Sequence, residues 1–208
     1  MYGVDSADRS DIRTSLLAAP FVVCLPLALA GLDESSSLAY RRDAITEGQY
    51  WRLFTAHLAH TQPGHALLNL AVWPFVLWLA KDRISIHQWG IGFLCCALGV
   101  DIGLWQFSPG VQWYVGLSGV LHGLLVLAAI MVWRRERMPA VLVLFGVTAK
   151  LVWEQTGGAL PGSEVWIGHP VIVDAHLYGV LSGVVCAGFF HIRRERVLRV
   201  LRVLRVFR

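Results

Sequence analysis

Six apolar runs, at residues 15–31, 64–80, 84–107, 115–133, 140–156 and 170–191, fill most of this chain and leave little polar sequence between them. A helix needs about 20 mainly apolar residues to cross the hydrocarbon of a bilayer. Lipid offers the backbone no hydrogen-bond partners, so such runs cross as helices that satisfy their own polar groups. The expected fold class is therefore all-α: a polytopic membrane protein built as a bundle of six transmembrane helices. Composition agrees, since only 15% of residues are charged and 56% are hydrophobic, whereas soluble domains carry about 25% charge. Six such spans with short loops use up the 208 residues and leave no room for a separate soluble domain.

The expected organisation is a short cytoplasmic N-terminus at 1–14, the bundle at 15–191 and a basic tail at 192–208. The first run has features of a secretion signal, with Arg9 and Arg13 before it and Ala28-Leu29-Ala30 at its end. Its length favours a retained anchor. Lysine and arginine set the orientation. With the N-terminus inside, Arg9, Arg13, Lys81, Arg83, Arg134, Arg135, Arg137 and the tail from Arg193 all face the cytoplasm, most of the 18 basic residues. The C-terminus is then also inside. The tail repeats arginine every three residues, from Arg193 and Arg196 to Arg205 and Arg208, with valine, leucine and phenylalanine between. That pattern reads as a basic amphipathic helix on anionic lipid, not as a nucleic-acid site. The cysteines Cys24, Cys95, Cys96 and Cys186 lie in apolar runs and read as reduced packing residues.

The longest connection, 32–63, is too long to be structureless and is expected to carry short helices. Tyr50 and Trp51 suit the headgroup level. His57, His60 and His65 crowd its end. They do not form a metal site of the zinc-protease kind, which sets two histidines four apart around a glutamate. No metal and no cofactor is expected.

Polar groups inside spans are costly and mark chemistry. Ser118 opens the fourth run in Gly116-Leu117-Ser118-Gly119, and His176 opens the sixth in Asp174-Ala175-His176. Serine is the natural nucleophile and histidine the natural base. Gly116 and Gly119 allow a tight turn and a close helix contact. Gly179 and Gly183 share a helical face with His176 and form a small-residue packing surface that would bring His176 toward Ser118. His122, four residues after Ser118, is either a packing partner for His176 or the base itself; the Gly179/Gly183 face favours His176 as base. Asp174 faces elsewhere, so the site reads as a dyad. The first turn of a helix leaves amides free for a developing oxyanion. The Ser118 amide is one such donor, together with His65 or Asn69, which lie four apart on one face of the second span. Lys150 and Glu154 in the fifth span read as an ion pair, either structural or at a gate for a substrate helix, with Trp153 on the same side.

These motifs, with Trp51-Arg52 in the first loop, resemble the rhomboid family of intramembrane serine proteases in order and in span placement. The resemblance implies a six-helix bundle, a Ser118–His176 dyad, and an oxyanion site of His65, Asn69 and the Ser118 amide. Rhomboids usually carry an aromatic residue four after the serine, where this chain has His122. That variant, the small size and Gly48-Gln49-Tyr50-Trp51-Arg52 are similar to the rhombosortase subgroup. The subgroup implies a bacterial inner-membrane enzyme, acting on exported single-span proteins with a C-terminal Gly-Gly anchor and a basic tail. Two other readings are an inactive rhomboid-like protein that binds membrane clients, and a small transporter. The first normally lacks the serine or the histidine, and both are present here.

Overall fold

The computed structural model describes residues 36–80 and 83–206, with the side chains of the last helix described as far as Arg193. The expected first span and the expected N-terminal segment lie outside the described residues. The elements in chain order are β1 (Tyr40–Arg41), α1 (Arg42–Thr46), α2 (Arg52–Thr55), α3 (Pro63–Ala80), α4 (Ile86–Phe107), β2 (Trp113–Tyr114), α5 (Ser118–Val132), α6 (Arg137–Gly157), α7 (Ser163–Ile167) and α8 (Val173–Val206). Helices α3, α4, α6 and the first 21 residues of α8 are long and apolar enough to cross a membrane; α5 is a shorter apolar helix.

Local chemistry sets the helix ends. Proline opens α3, where its missing N–H costs no intrahelical bond. Ser85 caps α4: its hydroxyl accepts from the Gln88 amide while the Gln88 side chain accepts from the Ser85 amide. Gly158, at φ 80°, ends α6.

Helix α5 stands at the centre and packs against α3, α4, α6 and, most extensively, α8. Glycine makes the α5–α8 contact possible. A Cβ added at Gly183 would lie 2.2 Å from the Gly123 carbonyl oxygen, and one at Gly123 would lie 2.4 Å from that of Gly179. In lipid, helices associate through such close packing, because lipid tails are as apolar as the side chains. The outward faces carry Leu94, Leu98, Phe145 and Val185, all exposed, as suits a surface solvated by hydrocarbon.

The long loop folds over one end of the bundle. Its β1 pairs antiparallel with β2, Tyr40 opposite Tyr114 and Arg41 opposite Trp113. Arg52, only 5% exposed, donates to the carbonyls of Ser36 and Ala39 and to Gln49. Arg42 donates to the carbonyls of Leu104, Trp105 and Val111. Tyr50 and Trp51 stay exposed. The all-α expectation is thus amended by one two-residue ladder. A second difference concerns the tail: no break marks residue 192, and α8 runs as one 34-residue helix from the bundle into the basic repeat.

Candidate active site

Helix α5 has 15 residues, about 22 Å at 1.5 Å per residue, against a hydrocarbon thickness of about 30 Å. The segment 108–117 before it contains no helix and is irregular apart from the two-residue strand β2. Ser118 therefore begins a helix that is too short to span by itself. Gly116 makes the turn into it at φ +124°, a conformation that side chains disfavour. The turn is tied from two sides: the Gly116 amide donates to the Ala56 carbonyl, 2.8 Å, and the Tyr114 hydroxyl donates to the Gly116 carbonyl, 2.6 Å. The folded loop thereby holds the backbone next to the serine.

The α5–α8 glycine face brings the two expected chemical groups together. The Ser118 Oγ lies 2.9 Å from His176 Nε2, and His176 is buried. A Cβ added at Gly119 would lie 2.7 Å from the Ala175 carbonyl oxygen, one residue before that histidine. The His122 ring stacks on the His176 ring, with centroids 4.3 Å apart and planes 23° apart. His122 Nδ1 bonds to the Ser118 carbonyl at 2.7 Å. Of the two places open to His122, the structure shows the packing one.

His65 and Asn69 project from α3 against the same turn. A Cβ at Gly116 would lie 2.9 Å from His65 Nε2 and 4.0 Å from Asn69 Nδ2. Asn69 Nδ2 is also 2.9 Å from His60 Nε2, and His60 Nδ1 is 3.1 Å from the Leu58 carbonyl. A carbonyl only accepts, so His60 Nδ1 carries the proton and Nε2 accepts from Asn69. Burial pushes the His60 imidazole down to about 4, against the opposing pull of the Leu58 bond, which keeps it neutral. Thr61 bonds to the Ile167 carbonyl and holds α7 near this corner.

A cavity of about 370 Å³ opens between α3 and α6, lined by Asn69, Val72, Phe75, Ser118, His122, Gly146 and Lys150 among others. Its walls are mainly aliphatic, and it leads from the helix faces to the serine. A much smaller recess reaches Ser118 from the other side, past His65, Trp113 and His169. A half-buried serine beside a buried imidazole, with donors nearby and an apolar cleft in front, is equipped for acyl transfer.

The family model described as Rhomboid domain matches residues 47–193. The chain belongs to the rhomboid family. A relative of this rhomboid chain, the rhomboid protease GlpG of Salmonella typhi, is 27% identical over 182 residues, 83% of this chain and 60% of the relative. This rhomboid therefore spans less than two thirds of the length of the relative it matches. Family and apolar helices together make it a multi-pass membrane protein.

Two groups at the rhomboid site have partners that spacing in the sequence does not reveal. Glu154 forms the ion pair with Lys150 that the spacing suggests, and it has a second partner: it is 3% exposed and its Oε2 lies 2.9 Å from His176 Nδ1. Its other oxygen accepts from Lys150 Nζ. Lys150 lines the cleft, as expected of a residue on the α6 side, while Trp153 is exposed elsewhere on that helix. His60 is the second: its Nε2 accepts from Asn69. Asp174, set aside in sequence, accepts from the Ser108 hydroxyl, which also meets the Tyr178 hydroxyl. Among the described residues no cluster of histidine, cysteine and carboxylate groups is suited to a metal.

Proposed function

We propose that this chain is an intramembrane serine endopeptidase of the rhombosortase subgroup, which removes the C-terminal Gly-Gly anchor of exported single-span proteins in a bacterial inner membrane. The observation that carries the reading is the 2.9 Å contact between Ser118 Oγ and His176 Nε2 at the end of a lipid-side cleft. In this reading residues 15–31 supply the first of six spans, both termini are cytoplasmic, and the basic tail lies on the inner leaflet.

The chemistry follows from the groups. The Ser118 oxygen attacks a peptide carbonyl while His176 Nε2 takes its proton. The Ser118 amide and the side chains of His65 and Asn69 receive the oxyanion. His176 then gives its proton to the leaving amine, and the acyl-enzyme remains. Water, deprotonated by the same nitrogen, attacks the acyl carbon and releases the carboxylate product and the serine. His122, where most rhomboids have an aromatic ring, keeps the His176 imidazole flat against it, and this variant supports the subgroup.

A fluorophosphonate probe tests the reading in membranes. Labelling of the wild-type chain, lost in Ser118→Ala, is the expected result. A wild-type protein that stays unlabelled and leaves Gly-Gly anchors uncut would instead be a client-binding protein.

A further inference from the structure

We propose that Glu154 is a positioning residue for His176, so that the site works as a serine–histidine–glutamate relay braced by Lys150. The inference rests on the protease reading above and adds to it a group on a third helix. Ser118 comes from α5, His176 from α8 and Glu154 from α6.

The argument begins with the two nitrogens of one ring. To take a proton from Ser118, His176 must present a lone pair at Nε2, so Nδ1 must carry the hydrogen. Two groups compete for Nδ1. Glu154 Oε2 lies at 2.9 Å and only accepts; Lys150 Nζ lies at 3.2 Å and only donates. If Lys150 donated to Nδ1, the hydrogen would sit on Nε2 and point at the serine oxygen, and the base would be lost. The carboxylate selects the working tautomer and stabilises the imidazolium that forms when the serine attacks. Lys150 has a better partner than the ring, because its ammonium bonds the second Glu154 oxygen four residues along the same helix. That bond fixes the carboxylate and engages the ammonium that competes for Nδ1.

Burial gives the arrangement its force. Glu154 and His176 are 3% and 4% exposed, and a buried carboxylate needs such partners to remain charged. Another ionisable group around His176 is His122, which stacks on it from α5, while His65 on α3 packs against Gly116. Neither reaches Nδ1. Asp174, the nearest acid in sequence, is held by Ser108.

The test is the rate of fluorophosphonate labelling of Ser118 as a function of pH, in detergent-solubilised full-length protein, with thermal unfolding recorded in parallel. Replacing one orienting carboxylate by its amide in a triad of this kind costs up to about 10⁴-fold. Glu154→Gln should therefore label at least a hundredfold more slowly at neutral pH, with its acidic limb moved to lower pH because a negative charge has left the ring. Lys150→Met removes a positive charge and should move that limb the opposite way. Glu154→Asp should recover part of the rate lost in Glu154→Gln. A purely structural carboxylate would lower the unfolding temperature and leave the pH limb in place. Unmoved limbs in those variants that fold would overturn the proposal while labelling of the wild type leaves the protease reading standing. No labelling of the wild type would remove both.

Discussion

At the scale of single residues, His60 holds in place the Asn69 amide that the proposed mechanism uses as a donor. The Asn69 amide carries two hydrogens, and one is bound to His60 Nε2. The amide is thus prevented from flipping its oxygen toward Gly116, where it would repel an oxyanion. His60 is kept in its accepting tautomer by Leu58 and kept neutral by burial. Loss of one oxyanion donor costs about a hundred- to a thousandfold in turnover. Asn69→Ala should lower turnover by that amount with little change in substrate affinity. His60→Ala, which frees the amide but leaves it in place, should fall short of that loss. Steady-state cleavage kinetics on both variants decide it: equal turnover in wild type and Asn69→Ala would reduce Asn69 to a hydrogen bond between helix and loop.

Elements are held together here by absent side chains. Gly119, Gly123, Gly179 and Gly183 let two helix backbones meet, and the serine and the histidine ride on those backbones. Gly183→Ala would drive a Cβ to 2.2 Å from the Gly123 carbonyl oxygen. A backbone atom cannot rotate away, so the helices must separate. Overpacking of this kind costs about 1–3 kcal/mol. The expected outcome is a lower unfolding temperature and slower fluorophosphonate labelling of Ser118. Gly188→Ala, with open space around its Cβ, should keep both at wild-type values and serves as the comparison. The Gly179-x-x-x-Gly183 stripe was legible in sequence because helical periodicity alone puts it on the face of His176. The long spans were legible for a similar reason, since apolar length is a local property. Glu154 was not: its meeting with His176 depends on how α6 leans on α8, and no spacing within either helix records that. The i,i+4 relation to Lys150 is local, so spacing revealed that one partner of the carboxylate and not the other. The β1–β2 ladder is two residues long and leaves no periodic trace, and the absence of a break at residue 192 follows from arginine, valine and leucine all continuing a helix as readily as they end one.

At the scale of the whole molecule, the proposed substrate would reach the serine along the least enclosed helix. Of the four long apolar helices among the described residues, α6 is the least enclosed, with 22% of its most apolar stretch buried against 39–44% for the others. The 370 Å³ cleft runs along that seam, and aliphatic side chains from α3 and α6 face it. A substrate helix leaning in from lipid keeps its carbonyls in hydrogen bonds, whereas Ser118 must meet an exposed carbonyl. Local unwinding therefore precedes attack. Glycine lowers its cost, since each glycine disfavours helix by about 1 kcal/mol relative to alanine. Two adjacent glycines contribute about 2 kcal/mol, close to thirtyfold in the unwound population at 1.4 kcal/mol per factor of ten. Replacing Gly-Gly by Leu-Leu in a single-span substrate should slow cleavage by at least that factor in the same membranes, while fluorophosphonate labelling of the enzyme stays the same. Cleavage of the Leu-Leu form at the Gly-Gly rate would show that unwinding at glycine does not select the substrate, and the reading would broaden from rhombosortase to a rhomboid protease of wider specificity.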